Sequence, residues 1–131
     1  MEAGHNVSMD LGLADRVYLV TGGSRGLGRA TAEALVAEGA RVVLSARHAE
    51  AATKAAVEIG HGTIGLAADN ADPATPARLI SAATGAFGRL DGALISVGGP
   101  PAGGTADIDD DQWRSSFESV FLGAVRMARG W

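Results

Sequence analysis

The sequence predicts an α/β fold, in which helices cover both faces of a parallel β-sheet. Apolar, β-branched runs alternate with helix-like segments along the whole chain, and these runs carry no polar alternation. Alternating strands and helices are typical of βαβ units, and continuously apolar strands are typical of a sheet that is covered on both faces. With 131 residues, the chain is long enough for one compact domain.

The first half of the chain is predicted to form two strand–helix units. Strands are predicted at Arg16–Thr21 and Arg41–Ala46, because both runs are apolar and β-branched. Helices are predicted at Leu27–Glu38, from apolar positions at helical spacing, and at Ala49–Ile59, which is rich in alanine. A glycine follows each of these helices and ends it.

The second half continues the alternation with two more strands and two more helices. Strands are predicted at Gly62–Ala68 and Gly92–Val97, and helices at Asp72–Phe87 and from Asp109–Asp111 to about Arg129. Gly65 weakens the third strand, whereas Asp72 and Pro73 provide the cap and the first turn of the third helix. The acidic start of the last helix complements the helix dipole.

Composition and charge exclude several classes of function. The chain is 47% hydrophobic and 20% charged, which indicates a globular protein. A net charge of −4 gives no electrostatic footprint for nucleic acid, and no apolar run approaches the roughly 18 residues of a membrane helix. The absence of cysteine excludes disulfides and thiolate catalysis, and with the lack of a signal-peptide pattern it favours a cytoplasmic protein. We expect residues 1–8 to form a flexible extension and residues 9–131 to form one domain.

The glycine-rich stretch LVTGGSRGLGRA, Leu19–Ala30, lies between the first strand and the first helix. Glycines permit a tight turn and a close approach to the backbone, and a helix N-terminus favours an anion. This placement predicts a site for a dinucleotide pyrophosphate. The alternative is a turn that only packs the helix against the strand. A nucleoside-triphosphate loop fits poorly, because Arg29 and Ala30 stand where it needs lysine and serine or threonine.

The end of the second strand bears on which dinucleotide would bind. In dinucleotide folds an acidic residue there bonds the ribose 2′-hydroxyl, whereas a nearby arginine accommodates a 2′-phosphate. Ala46 takes the acidic position, Arg47 follows it, and Arg25 lies in the glycine loop on the same side. Two guanidiniums without a carboxylate favour a phosphate dianion and therefore NADP(H). The alternative is that Arg47 is a solvated residue at a helix start.

The spacing Thr21-Gly22-x-x-x-Gly26-x-Gly28 resembles the TGxxxGxG signature of the short-chain dehydrogenase/reductase family. The resemblance runs from about Met9 to the last helix and is greatest to the branch with 3-oxoacyl-acyl-carrier-protein reductases. It implies a Rossmann-type three-layer αβα fold with parallel strands in the order 3-2-1-4, of which the C-terminal part is missing. It also implies hydride transfer between a nicotinamide and a carbonyl or alcohol carbon.

The resemblance implies a cofactor site that is spread over several loops. Its residues would be Gly22, Ser24, Arg25, Gly26, Leu27, Gly28, Arg47, Asp69, Asn70, Ser96 and Gly98. Asp69 and Asn70 would contact the adenine ring, although by local pattern the pair equally fits a turn and helix cap. Ser96-Val97-Gly98-Gly99 replaces the family's Asn-Asn-Ala-Gly, so small residues are kept while the strand-bracing asparagines are lost.

The family's catalytic groups are a tyrosine with a lysine four residues later, a serine, and an asparagine on the last helix. The lysine is needed because the ordinary pKa of a phenol is about 10. Tyr18 and Lys54 are the only tyrosine and lysine, they are far apart in sequence, and Val120 aligns with the asparagine. We therefore name no catalytic residue and expect the sequence to stop before the catalytic Ser and Tyr-x-x-x-Lys. The three histidines show no metal-ligand spacing, so no metal site is predicted.

The last helix bears an apolar stripe, Trp113, Phe117, Phe121, Ala124, Val125 and Ala128. In the family this helix packs on a partner subunit, which implies a homo-oligomer; the alternative is that the stripe covers its own sheet. The fourth strand is expected to expose an apolar edge. Two functions remain open: the cofactor-binding part of an NADP(H)-dependent oxidoreductase, or a catalytically inactive nucleotide-binding or interaction module.

Overall fold

Four parallel strands form the centre of the molecule in the order β3-β2-β1-β4. The computed structural model describes residues 9–99 and 102–130, so the expected extension 1–8 lies outside the described residues. The strands are β1 Val17–Val20, β2 Arg41–Ala46, β3 Ile64–Ala67 and β4 Gly92–Leu94. The helices are α1 Gly26–Ala37, α2 Ala49–Ile59, α3 Thr75–Phe87, α4 Asp110–Ser116 and α5 Gly123–Arg129, and a π-helical segment, Phe117–Leu122, joins the last two.

Successive side chains of the strands enter two separate cores, one on each face of the sheet. On one face Val17, Leu19 and Val43 pack with Leu79 and Ala83 of α3 and Met127 of α5. On the other face Val20, Val42 and Leu44 pack with Ala32 of α1 and with Ala52 and Ala55 of α2. The predicted three-layer αβα fold and its strand order 3-2-1-4 are thus confirmed.

The bounds of β1, α1 and β3 differ from the prediction by one or two residues, and larger differences occur in α3, β4 and the last helix. Helix α3 begins at Thr75 rather than Asp72, because the Asp72 carboxylate accepts the Ala74 N–H at 2.9 Å and makes a local turn of its own. Strand β4 ends at Leu94, after which the backbone of Ser96 bonds a side chain instead of a strand. The predicted last helix contains a π-helical segment, in which the Gly123 N–H donates to the Glu118 carbonyl five residues earlier.

Gly65 serves β3 instead of weakening it. It pairs with Leu44 of β2, and the backbone of α2 lies directly over it. A Cβ on Gly65 would overlap the carbonyl oxygen of Ala52. The missing side chain therefore lets α2 pack closely on the sheet.

We expect Gly65→Ala to lower the free energy of unfolding by about 2 kcal/mol, since the added methyl must push α2 away from β3. Gly85→Ala in α3 is the matched control, because nothing lies within 4 Å of a Cβ there and a helix interior favours alanine. That change should raise the free energy by about 1 kcal/mol. Urea unfolding followed by circular dichroism measures both, and two effects of the same sign would contradict the packing role of Gly65.

Asp91 joins the starting ends of β1 and β4. Its carboxylate accepts the Val17 N–H at 2.8 Å and the guanidinium of Arg89 at 2.6 Å, and Arg16 lies at 3.4 Å. The Arg89 hydrogen bond, followed by that from the Val17 backbone, holds the pKa of Asp91 below its ordinary value of 3.8. The ionised carboxylate therefore stabilises the folded chain.

We expect Asp91→Asn to reduce stability at neutral pH and much less in acid. Because the folded pKa is depressed, this contribution is complete above the ordinary pKa and is lost as the pH falls through the lower, folded value. Urea midpoints of the wild type and the variant should thus converge as the pH falls below the ordinary carboxylate pKa of about 4. Asp111→Asn is the control, since the ion pair described for that exposed carboxylate is with Arg114, one turn along. An Asp91→Asn effect independent of pH would contradict this assignment.

The last helical region exposes its aromatic stripe. Trp113, Phe117 and Phe121 are more than half exposed, and the rings of the two phenylalanines stack at 5.3 Å. The opposite side, with Gly123 and Met127, faces the core. The large residues of the stripe therefore do not cover the sheet of their own domain, and that alternative was wrong.

Candidate cofactor site

A cleft of about 540 Å³ opens at the carboxyl ends of the strands. It lies between the glycine loop, the end of β2, the loop after β3 and the segment after β4. All of the predicted cofactor residues line it: Gly22, Ser24, Arg25, Gly26, Leu27, Gly28, Arg47, Asp69, Asn70, Ser96 and Gly98. Sequence reasoning did not assign Ser45, Ala46, His48, Ala51, Ala68, Val97, Gly99 and Ser119, which also line it.

The positions of the loop require glycine for different structural reasons. Gly22 and Gly26 have positive φ angles of 61° and 60°, which residues other than glycine rarely adopt. A Cβ on Gly28 would overlap the Gly22 carbonyl oxygen, so the loop can close on itself only without it. Gly23, absent from the predicted site, packs against Leu44, where a Cβ would come within 2.7 Å of that side chain's Cβ. The loop shape thus follows from turning and packing together.

The loop presents the N-terminus of α1 to the cleft. Arg25 is the N-cap residue in an extended conformation, and among the described residues it gives the helix no side-chain cap. The first turn also contains no acidic side chain. Unpaired N–H groups at the start of a 12-residue helix are a suitable site for an anion.

Two arginines of the cleft differ from a third one beside it. Arg25 and Arg47 are exposed and line the cleft, and within the described residues neither side chain makes a hydrogen bond or ion pair. Arg29 instead donates to Glu58 of α2 at 2.9 Å, and this bond lowers the pKa of Glu58. Asp69 is the only carboxylate among the described lining residues. The end of the cleft beside β2 therefore favours an anionic group.

Thr21 holds the segment after β4 in place, although sequence reasoning used it only as part of a signature. Its buried hydroxyl donates to the Ser96 carbonyl and accepts the Ser96 N–H, both at 2.8 Å. The side-chain amide of Asn70 also donates to this carbonyl at 3.4 Å. Ser96 is thus braced through its backbone.

A family model described as short chain dehydrogenase matches residues 16–131. The chain belongs to the short-chain dehydrogenase family. The match covers every strand and helix described above.

Relatives within the short-chain dehydrogenase family include proteins with known cofactors. An NADP-dependent (R)-specific alcohol dehydrogenase of Lentilactobacillus kefiri is 32% identical over 85% of this chain and 46% of its own length. L-sorbose reductase from Gluconobacter frateurii, solved with NADPH and L-sorbose, gives a TM-score of 0.86 at 31% identity, over 93% of this chain and 48% of that one. A 3-ketoacyl-(acyl-carrier-protein) reductase from Brucella melitensis, solved with NADH, gives 0.80 at 27% identity, over 89% and 48%. The chain therefore spans about half the length of these relatives.

The tyrosine and the lysine of this chain lie in separate elements. Tyr18 is in β1 with its ring against Gly92, and Lys54 is in α2. Val120, which the resemblance places at the family's helix asparagine, lies in the π-helical segment next to Ser119 of the cleft wall. No cluster of three metal-ligating side chains occurs within residues 9–99 and 102–130. In the same part of the chain, no helix is long and apolar enough to span a membrane.

Proposed function

We propose that this chain is the cofactor-binding part of an NADP(H)-dependent oxidoreductase that transfers hydride between nicotinamide and a carbonyl or alcohol carbon. The observation that carries the proposal is the arrangement of one cleft. An uncapped helix N-terminus forms one side, and two arginines without a described partner, Arg25 and Arg47, line the same cleft. These are the two kinds of group that a pyrophosphate and a 2′-phosphate need.

Each part of the dinucleotide can be assigned to a group of residues in the cleft. The loop Gly22–Gly28 would hold the pyrophosphate, and Arg25 and Arg47 would bind the 2′-phosphate. Asp69 and Asn70 would contact the adenine, while the small residues Ser96 and Gly98 would leave room for the nicotinamide ribose. The bound nicotinamide would supply or accept the hydride. The chain itself would bind, orient and select this group.

The choice of NADP(H) depends on this chain's own arginines. Relatives have been solved with NADPH and with NADH, so family membership alone supports either cofactor. The β2 end of the cleft carries Ala46 where a carboxylate would bond a free 2′-hydroxyl. Arg47 beside it supports the phosphorylated form.

Separate calorimetric titrations of the purified chain with NADPH and NADH test the proposal. We expect NADPH to bind at least about tenfold more tightly, since charge-assisted bonds to the 2′-phosphate are absent for NADH. Equal affinities would contradict the NADP(H) assignment while leaving cofactor binding in place. Failure to bind either dinucleotide would contradict the cofactor function itself.

A nucleotide-binding module without catalysis is the second candidate. The separate positions of Tyr18 and Lys54 favour it, because these residues do not form a general acid/base pair. Loss of NADPH absorbance on addition of small ketones or 3-oxoacyl thioesters would contradict the module. Binding without turnover is expected of both candidates, because Tyr18 and Lys54 form no catalytic pair, whereas a purified chain that is insoluble by itself would contradict the module.

A further inference from the structure

The last helical region supports one wall of the cofactor cleft. Residues 69–72 lie in the connection between β3 and α3, and Asp69 and Asn70 line the cleft. Gly123, the first residue of α5, is buried, and a Cβ there would overlap the Asn70 carbonyl oxygen. The backbone of α5 therefore lies directly against the cleft wall.

Arg126 makes a second connection between α5 and the same wall. Its Nη1 atom donates to the Ala71 carbonyl at 3.3 Å and to the Glu118 carboxylate at 2.9 Å. The Arg126 side chain is only 19% exposed. Glu118 lies at the π-helical segment, eight residues earlier, so it holds the guanidinium in the position from which Arg126 reaches the loop.

Other bonds fix Asp69 and the Ala71 N–H, but not the Ala71 carbonyl. The Asp69 carbonyl accepts the Thr75 hydroxyl at 2.6 Å, and the Asp69 carboxylate accepts the Ala71 N–H at 2.9 Å. The carbonyl of Ala71 has Arg126 as its partner among the described hydrogen bonds. The Asp72 N–H closes the turn on the Asp69 carbonyl at 3.0 Å, and Arg126 of α5 holds the Ala71 carbonyl that this turn leaves free among the described bonds.

We propose that Arg126 is a positioning residue of the cofactor site, which acts through the Ala71 carbonyl, and that Gly123 permits the close contact on which this depends. The inference rests on the proposed function, because it assigns the adenine group to the wall formed by Asp69 and Asn70. Binding of an adenine nucleotide and docking of α5 are then coupled, and the coupling is reciprocal. A bound nucleotide slows amide exchange in α5, and loss of Arg126 weakens the binding of the nucleotide.

Arg126→Met in the full chain tests this, with Arg129→Met as the matched control. Arg129 lies one turn later in α5, is exposed, and makes no side-chain hydrogen bond or ion pair within the described residues. The affinity of each variant for adenosine 2′,5′-bisphosphate is measured by calorimetric titration. We expect Arg126→Met to weaken its binding roughly fivefold, Glu118→Gln to weaken it less, and Arg126→Lys to restore part of the loss. Arg129→Met should bind as the wild type does.

Hydrogen exchange separates positioning from general destabilisation. In Arg126→Met the amides of residues 69–72 should exchange faster while those of β1 and β2 stay unchanged, and the bisphosphate should no longer protect α5. Equal affinity of Arg126→Met and the wild type would overturn the inference, as would an equal loss in Arg129→Met. A wild type that binds neither NADPH nor the bisphosphate would overturn the proposed function as well.

Discussion

Replacing Arg47 with alanine is expected to weaken NADPH binding by about 30-fold and to leave NADH binding unchanged. Arg47 lines the cleft at the end of β2 and has no partner among the described residues, so its guanidinium is available to a 2′-phosphate. A charge-assisted bond to a phosphate dianion is lost on substitution, whereas NADH offers no charge at that position. Calorimetric titration of both dinucleotides at fixed ionic strength measures the two affinities.

Arg29→Ala provides the control for charge removal near the cleft. Arg29 directly follows the glycine loop, but its guanidinium is bound to Glu58 of α2. Its loss should therefore change NADPH and NADH binding equally and weakly. An Arg47→Ala variant that loses both cofactors to the same degree would show that Arg47 supports the fold of the cleft instead of selecting the phosphate. The NADPH preference should also decline as salt screens the exposed arginines.

Gly28→Ala is expected to abolish measurable NADPH binding and to lower the free energy of unfolding by about 2 kcal/mol. The added Cβ would overlap the carbonyl oxygen of Gly22, which is a backbone atom of the same loop. Relief of this overlap requires the loop to open, and the first-turn N–H groups of α1 would then move away from the bound pyrophosphate. Urea unfolding and NADPH titration of the same preparation measure both effects.

Gly26→Ala separates steric overlap from backbone strain within the same loop. Nothing lies within 4 Å of a Cβ at Gly26, but the residue has a positive φ angle. We expect a cost of about 1 kcal/mol from the left-handed conformation and a smaller loss of binding than in Gly28→Ala. If Gly28→Ala bound NADPH as tightly as the wild type, the self-contact of the loop would have no role in the site.

The sequence predicted elements well where one strong local signal determined them. The bounds of β2 and α2 agree with the prediction, because a largely apolar, β-branched run and an alanine-rich run leave few alternatives. The start of α3 was wrong because Asp72 can cap a helix or close a turn, and local sequence does not distinguish the two. The early end of β4 depends on Thr21, which is 75 residues from Ser96.

The residues that line the candidate site could be predicted better than the residues that hold them in position. Motif and charge pattern named residues that the structure places around one cleft. Sequence reasoning missed Gly23 and Arg126, whose contacts are made to backbone atoms or packed side chains of distant segments. Such partners carry no local pattern, since any residue supplies a carbonyl oxygen.

The π-helical segment also determines the direction in which the side chains of α5 point. Each residue of an α-helix turns the chain by about 100°. A helical turn that is closed by a bond to the fifth residue back contains one residue more than an α-turn. If Phe117–Leu122 wound as a regular α-helix with no residue removed, the surplus residue would rotate α5 by about 100°, more than a quarter of a revolution. Met127 would then leave the sheet and Arg126 would leave the Ala71 carbonyl. A single surplus residue thus decides which side of the final helix is inside.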